Sequence, residues 1–229
     1  MIQILPIADV IHQDVFFDDE FYSNTHNWEI VSSPRENAFI KDGFYWMENR
    51  SKKNWMFYHK KLPVKTTESF IISAEIEIVH SHLGYGQFGL VWGFDREHNV
   101  VNKFTIASNQ NRFTVSRFQK DHLFVTHRFS GPFIKHDAYA YKQFFSIVKL
   151  ADYYYFYLNP YDRPVYIVHV SQMNMEGERF GFYVEPGIMI RAERITVKRL
   201  VLNQEFAGLL WMPLDKDSMP LGSEILRGN

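Results

Sequence analysis

The stretch "SFIISAEIEIVH", residues 69–80, decides the fold class of this chain. Its apolar residues fall at alternate positions and would share one face of an extended strand: Phe70, Ile72, Ala74, Ile76 and Ile78. The polar residues Ser73, Glu75 and Glu77 would share the opposite face. One apolar and one polar face are typical of a half-buried strand in an antiparallel sheet. The stretch therefore predicts a long strand with one face in a core and the other toward solvent.

The same period of two recurs along most of the chain. It predicts further strands at 87–94, 102–108, 111–118, 121–128, 142–150, 153–159, 164–170, 178–185 and 193–202, with three or four short ones upstream. Asp42-Gly43 is typical of a hairpin turn, as is the "SNQN" at 108–111. Parallel strands need crossover helices, and no convincing amphipathic helix precedes residue 203.

These observations predict an all-β chain. The fold expected is an antiparallel two-sheet jelly-roll sandwich over residues 1–202. Residues 203–229 contain two prolines and irregularly spaced apolar residues. We expect them to form a short irregular C-terminal extension that packs on the sandwich or docks on a partner. A homo-oligomer built through the terminal segments is a further alternative.

Composition excludes several classes of function. The formal net charge of −1 argues against nucleic acid as the main partner, because phosphate binding needs a basic surplus. The chain has no cysteine, so disulfides, thiolate metal sites and cysteine nucleophiles are excluded. No apolar stretch approaches the roughly 20 residues that span a bilayer, so no membrane partner is expected. The first residues lack the basic region of a signal peptide, and we therefore expect a cytoplasmic location.

Longer motifs resemble a known family. The segments "FFDDEFYSNTHNW" (16–28) and "IKDGFYWMENRSKKNWMFY" (40–58) resemble the opening of bacterial laminin-G-like, concanavalin A-like sandwich domains of the lectin and glucanase type. The middle of the same pattern is similar to "GYGQFGLVWGF" (84–94) followed by "NKFTIASNQNRFTVSRF" (102–118). Its late strands are similar to "YYFYLN" (154–159) and "GERFGFYVEPG" (177–187). The resemblance runs from about residue 16 to residue 202.

The resemblance implies a jelly roll with one convex and one concave sheet. Members of the family are usually binding or accessory modules for carbohydrate or protein, and some relatives are glycoside hydrolases. The function expected is therefore non-catalytic recognition of carbohydrate or of a protein partner through an aromatic face. A glycoside hydrolase and a structural subunit of an assembly are the alternatives, since fold alone does not fix function.

The segment "ADYYYFYLN", residues 151–159, suggests where a ligand would bind. In a strand, Tyr154, Phe156 and Leu158 would face the core, which leaves Tyr153, Tyr155 and Tyr157 facing outward. Tyrosine has a flat apolar ring with a polar rim, which suits sugars and protein partners. Trp46, Tyr58 and Trp92 would join this platform if their strands are neighbours. Alternatively, the outward rings are covered, or reflect only the preference of tyrosine for strands.

The segment "EIEIVH", residues 75–80, is similar to the Glu-x-Asp-x-x-Glu strand of laminarinase-type glycoside hydrolases. In that resemblance Glu75 takes the position of the nucleophile and Glu77 that of the aspartate. His80 stands where the family has its acid/base glutamate, which departs from the pattern. The alternative is that both glutamates simply lie on the solvent face of an amphipathic strand.

Two groups of residues have side chains that bind metals. His80 and His82 would share one strand face, and a third ligand would come from His122, His127, His136 or an acidic loop. Asp18 and Asp19, and the turn "DREHN" at 95–99, have oxygen ligands suited to a structural calcium ion, although neither has the spacing of a dedicated calcium loop. Turn and surface roles explain all of these residues equally well. Apart from such a calcium ion, no cofactor is expected.

Overall fold

The computed structural model describes residues 11–81, 86–95, 97–107, 112–119, 122–130, 142–158, 163–174 and 177–202. In chain order its strands are β1 Ile11–Asp19, β2 Val31–Ser32, β3 Glu36–Lys41, β4 Phe44–Asn49, β5 Met56–Lys61, β6 Phe70–Ser81, β7 Gln87–Asp95, β8 Val100–Ala107, β9 Arg112–Gln119, β10 His122–Ser130, β11 Lys142–Leu150, β12 Tyr153–Leu158, β13 Tyr166–His169, β14 Arg179–Val184 and β15 Ile188–Leu202. One turn of 3₁₀ helix follows β13 at Val170–Gln172. Within these ranges, no helix has the length and apolarity needed to cross a membrane.

The strands form two antiparallel sheets, which confirms the predicted sandwich. The nine-stranded sheet has the order β13-β12-β11-β6-β15-β4-β3-β2, with β1 pairing with β15. The six-stranded sheet has the order β10-β9-β8-β7-β14-β5. The strand β6 alternates between buried and half-buried residues over most of its length, as its sequence predicts. The apolar faces of the two sheets therefore pack against each other and form one main core.

Strand β15 lies at the centre of the nine-stranded sheet and pairs with β6, β4 and β1. One edge pairs with β6 from Ile188 to Arg199. The other edge pairs with β4 over residues 188–192 and with β1 over residues 195–202. The strand begins five residues before the position predicted from sequence, at 188 instead of 193. A register shift between Ala192 and Arg194 breaks the simple alternation on which the prediction depends.

The hairpin predicted at Asp42-Gly43 is confirmed, and it connects β3 with β4. Asp42 has φ of 54° and Gly43 has φ of 75°, so both central residues are left-handed. Two left-handed residues are the geometry of a type I′ turn, whose twist matches that of the flanking strands. The hairpin predicted at 108–111 lies outside the described residues, and so does the predicted extension over 203–229, whose boundary stays a prediction.

Tyr58 and Trp92 lie in the main core, contrary to the prediction that they join an outward platform. They are 1% and 0% exposed. The ring of Trp92 lies 5.6 Å from that of Tyr154 and 5.5 Å from that of Phe156, across the two sheets. The reason is strand alternation, because Trp92 and Tyr58 occupy the core-facing positions of β7 and β5. Both side chains are therefore unavailable to a ligand.

Candidate functional site

Strand β12 directs its tyrosines as its sequence predicts. Tyr154 and Phe156 are buried, whereas Tyr153, Tyr155 and Tyr157 lie on the outward face of the nine-stranded sheet. Tyr153 is 45% exposed, but Tyr155 and Tyr157 are half-buried against a small apolar cluster formed by Ile71, Val148, Leu150 and Leu200. Burial raises the pKa of Tyr157 to about 12. Of the three outward tyrosines, Tyr153 therefore exposes the most ring to solvent.

Trp46 lies on the same outward face but far from the tyrosines of β12. Three strands, β11, β6 and β15, separate β12 from β4, which places the two groups about 19 Å apart at the usual strand spacing. Trp46 stacks on Phe39 with ring centroids 5.8 Å apart. The guanidinium of Arg191 lies over the rings of Phe44 and Trp46, at 4.3 and 5.2 Å. Trp46 and the tyrosines therefore do not form one platform.

The two glutamates of β6 are paired with cations from neighbouring strands. The carboxylate of Glu75 lies 2.5 Å from Nζ of Lys142, which also contacts Glu193. Oε2 of Glu77 accepts hydrogen bonds from Nε of Arg191 at 2.7 Å and lies 2.6 Å from its Nη2. The hydrogen bonds to Glu193 and Glu75 raise the pKa of Lys142. Glu75 and Glu77 thus belong to an ion-pair network on the surface of the sheet.

Asp18 and Asp19 point to opposite faces of β1, because they are adjacent in a strand. Asp18 binds the guanidinium of Arg194 through both oxygens, at 2.8 and 2.5 Å. Asp19 is buried and accepts hydrogen bonds from Nε1 of Trp28 and from the backbone N–H of Phe21, both at 2.8 Å. These two carboxylates therefore do not meet at one calcium ion as the sequence suggested.

The side chain of Asp95 caps backbone N–H groups of the turn that follows it. Oδ1 of Asp95 accepts hydrogen bonds from the backbone N–H groups of Glu97 and His98, at 2.8 and 3.2 Å. Oδ2 of Asp95 lies 2.6 Å from Nδ1 of His98, and this contact lowers the pKa of Asp95. The aspartate therefore has the backbone-capping role that is usual in turns.

The predicted histidine ligands are scattered or not described. His80 lies near the end of β6, and His122 begins β10 in the other sheet. His82, His136 and the side chain of His127 lie outside the described part of the chain. Among the side chains that the structure does describe, no group of three or more histidines or carboxylates is placed to hold a metal ion.

The outward face of the six-stranded sheet has a second set of aromatic rings, which the sequence did not single out. Val91, Val101 and Tyr183 are buried on this face, and Phe57, Phe94 and Phe118 pack against them. Trp55, from the connection between β4 and β5, meets Phe118 edge-on at 5.2 Å and is 42% exposed. We call the set formed by Trp55, Phe57, Phe94, Phe118 and Tyr183 the aromatic face.

Lys103 lies in the middle of the aromatic face and is 5% exposed. Its Nζ lies 5.0 Å from the ring centroid of Trp55 and 4.5 Å from that of Tyr183. Burial lowers the pKa of Lys103 to about 8, against an opposing effect of the Glu185 carboxylate. None of the residues that the structure describes accepts a hydrogen bond from this Nζ. The ammonium group of Lys103 therefore has cation–π contacts with two aromatic rings.

A short chain of hydrogen bonds holds the polar groups beside Lys103. The hydroxyl of Tyr183 donates to Oε1 of Glu185 at 2.9 Å, and the backbone N–H of Gln87 donates to its Oε2 at 2.7 Å. The hydroxyl of Thr105 donates to Oε1 of Gln87 at 2.9 Å. Both oxygens of the carboxylate are therefore engaged, and the ring of Tyr183 is fixed in orientation.

Two glycines in β7 and β14 allow close backbone approach beside the aromatic face. Gly89 lies opposite Tyr183 in the sheet, and Gly181 lies opposite Val91. A Cβ at Gly89 would come within 2.2 Å of the backbone oxygen of Phe104. The repeated Phe-Gly pairs of "QFGLVWGF" and "RFGFYV" were the visible signal of this face, since a glycine inside a strand marks close backbone approach. Sequence does not show that these two strands are neighbours.

Comparisons with known proteins agree with the observed architecture. No protein-family model matches the chain, and no curated protein sequence matches it. The CBM2 module of the evolved Dit of Lactobacillus casei BL23 phage J-1 is 10% identical, with a TM-score of 0.59 over 85% of this chain and 99% of that one. A galectin-like protein of unknown function from Bacillus subtilis is 10% identical, with a TM-score of 0.61 over 84% of this chain and 100% of that one.

A glucanase has the same architecture. The endo-beta-1,3-glucanase from Pyrococcus furiosus is 11% identical, with a TM-score of 0.58 over 83% of this chain and 96% of that one. At such identities the likeness shows the fold alone. It does not single out the laminin-G-like branch that the sequence motifs resemble. The chain is therefore a concanavalin A-like β-sandwich, a fold that carbohydrate-binding modules share with glucanases.

Proposed function

We propose that this chain is a non-catalytic carbohydrate-binding module and that its ligand binds on the aromatic face. The observation that carries the proposal is Trp55, a large ring that is 42% exposed and lies over Lys103 beside Phe118. An exposed indole presents a flat apolar surface on which a sugar ring stacks, and neighbouring polar groups orient its hydroxyls. The fold is compatible with this role.

The distribution of rings favours the six-stranded sheet over the nine-stranded one. On the aromatic face, the ring of Phe57 lies 5.5 Å from that of Phe94 and 5.6 Å from that of Tyr183. Tyr183 is buried, but Phe57 and Phe94 are partly exposed neighbours, so this face has several partly exposed rings for a polysaccharide to contact. On the nine-stranded sheet, Tyr153 and Trp46 lie near opposite ends, and an ion-pair network lies between them. The aromatic face is therefore the stronger candidate.

Binding to a panel of soluble neutral and acidic polysaccharides, measured by affinity electrophoresis and then by calorimetry, tests the proposal. We expect Trp55→Ala to weaken binding at least tenfold, which corresponds to about 1.4 kcal/mol. Trp46→Ala is the matched control, because it removes the same side chain from the other sheet, and binding should be unchanged. Both variants should unfold near the wild-type temperature, since neither ring lies in the main core.

Two outcomes would contradict the proposal. Normal binding by Trp55→Ala together with loss of binding by Tyr153→Ala would place the ligand on the outward tyrosines of β12, as the sequence suggested. Absence of binding to every polysaccharide would instead favour the alternatives of a protein partner or a structural subunit. Light scattering of the purified chain then shows whether it forms a homo-oligomer.

A further inference from the structure

We propose that the aromatic face selects acidic glycans and that Nζ of Lys103 binds the anionic group of the sugar. The inference rests on the proposed function and specifies its class of ligand. The anionic group is a carboxylate, as in a uronic acid, or a sulfate ester, since both present oxygen acceptors to an ammonium group.

The first observation is that Nζ of Lys103 has no hydrogen-bond acceptor among the described residues, although the residue as a whole is 5% exposed. A charged group with little access to water is costly unless it is paired, and the desolvation of Lys103 lowers its pKa. The nearest carboxylate is that of Glu185, but its two oxygens already accept hydrogen bonds from Tyr183 and from the backbone of Gln87. Among the described residues, the contacts of the Lys103 ammonium group are cation–π contacts with Trp55 and Tyr183 and the charge of Glu185, and none is a hydrogen bond from Nζ. An anion that reaches Nζ supplies the missing acceptor.

The second observation is another unpaired basic donor on the same face. Nε of Arg112 is buried and has no hydrogen-bond partner. Phe113 and Val115 belong to the main core, so strand alternation places Arg112 on the outward side of β9. Lys103 lies opposite Ser116, four residues along β9 from Arg112. The two Cα atoms are thus about 14 Å apart, which suits a ligand with repeated charges.

The third observation is the sign of the local charge. Lys103 and Arg112 both lie on the outward side of the six-stranded sheet, and the carboxylate of Glu185 acts on Lys103, although the whole chain has a formal net charge of −1. A neutral sugar bound between these aromatic rings would not supply an anionic acceptor for the basic side chains. The face therefore disfavours neutral sugars because its donors stay unpaired. An acidic glycan satisfies those donors and stacks on the rings at the same time.

The test compares ligands that differ only in charge. Calorimetry measures the binding of alginate and of the same alginate after chemical reduction of its carboxyl groups, with sulfated and unsulfated dextran as the second pair. We expect the wild type to bind the charged member of at least one pair ten or more times more tightly. The pair that shows this preference identifies the anionic group as carboxylate or sulfate.

Lys103→Met should remove the preference for the charged ligand, and Lys103→Gln should do the same. Lys142→Met is the matched control, because it removes one lysine from the outward side of the other sheet and should leave the preference intact. If the wild type binds both members of each pair equally, the inference is overturned, while loss of binding in Trp55→Ala still supports the proposed function. If no ligand binds, both fail. The wild-type comparison of charged and neutral ligands is decisive without the variants.

Discussion

At Lys103, burial and charge oppose each other. Burial lowers its pKa from 10.5 to about 8, so the folded protein holds this proton less firmly than the unfolded chain does. Unfolding therefore takes up a proton between about pH 8 and pH 10.5, and the free energy of unfolding rises with pH across that window. Below pH 8 the lysine is charged in both states, and the folded protein bears the full cost of burying it.

We expect Lys103→Met to raise the free energy of unfolding at pH 7 by up to about 3 kcal/mol, which is what the shift in pKa corresponds to. The variant should also lose the wild-type rise in stability between pH 8 and pH 10.5. Urea unfolding of both proteins at pH 7, 8.5 and 10 measures the difference, and comparison at each pH cancels the titration of other groups. If the difference in the free energy of unfolding between the two proteins is the same at all three pH values, the burial of a charged Lys103 is contradicted.

Asp18 and Asp19 offer a comparison between two neighbouring residues of the same type. Asp19→Ala should destabilise the protein by about 2–3 kcal/mol, because it leaves the buried Nε1 of Trp28 without its acceptor. Asp18→Ala removes an ion pair with Arg194 on the surface and should cost about 1 kcal/mol or less. Thermal unfolding of the two variants checks the order. Equal losses would mean that Trp28 does not depend on Asp19.

At the scale of the single strand, β12 allows a test of which residues form the core. Phe156→Ala should destabilise the protein by about 3–5 kcal/mol, since its ring is fully buried against Trp92 and Phe104. Tyr153→Ala, at an exposed position of the same strand, should change the free energy of unfolding by about 0.5 kcal/mol or less. Urea unfolding measures both values, and a reversed order would mean that β12 has the opposite face in the core.

The sequence predicts single strands well and their neighbours poorly. Alternation is local, so the faces of β6 and the inward side of Phe156 followed from their own segments. Pairing depends on contacts between distant segments, and nothing in "NWMFYHKK" or "NKFTIAS" shows that Trp55 lies over Lys103. The error on Tyr58 and Trp92 is of a different kind, because alternation within β5 and β7 directs both side chains into the core. The aromatic face depends on which strands pair, and the sequence does not show this pairing.

For the whole molecule, the two sheets should behave as one cooperative unit, because a single main core joins them. We expect the backbone amides of β6 and β15 to exchange hydrogen for deuterium slowest, at the free energy of global unfolding. The amides of the edge strands β2 and β13 should exchange faster, since each pairs with only one neighbour. Hydrogen exchange followed by mass spectrometry measures this order. Far faster exchange in β7 and β8 than in β6 would contradict a single unit.

Strand β15 also constrains how the protein is made in the cell. Its partners β1 and β4 leave the ribosome well before β15, which ends at residue 202. At ordinary rates of translation the early strands wait on the order of 10–40 s for it. During that interval the edge of β6 that β15 later covers is open to other nascent chains. Translation speed and chaperone supply, more than the stability of the finished protein, should therefore control its yield.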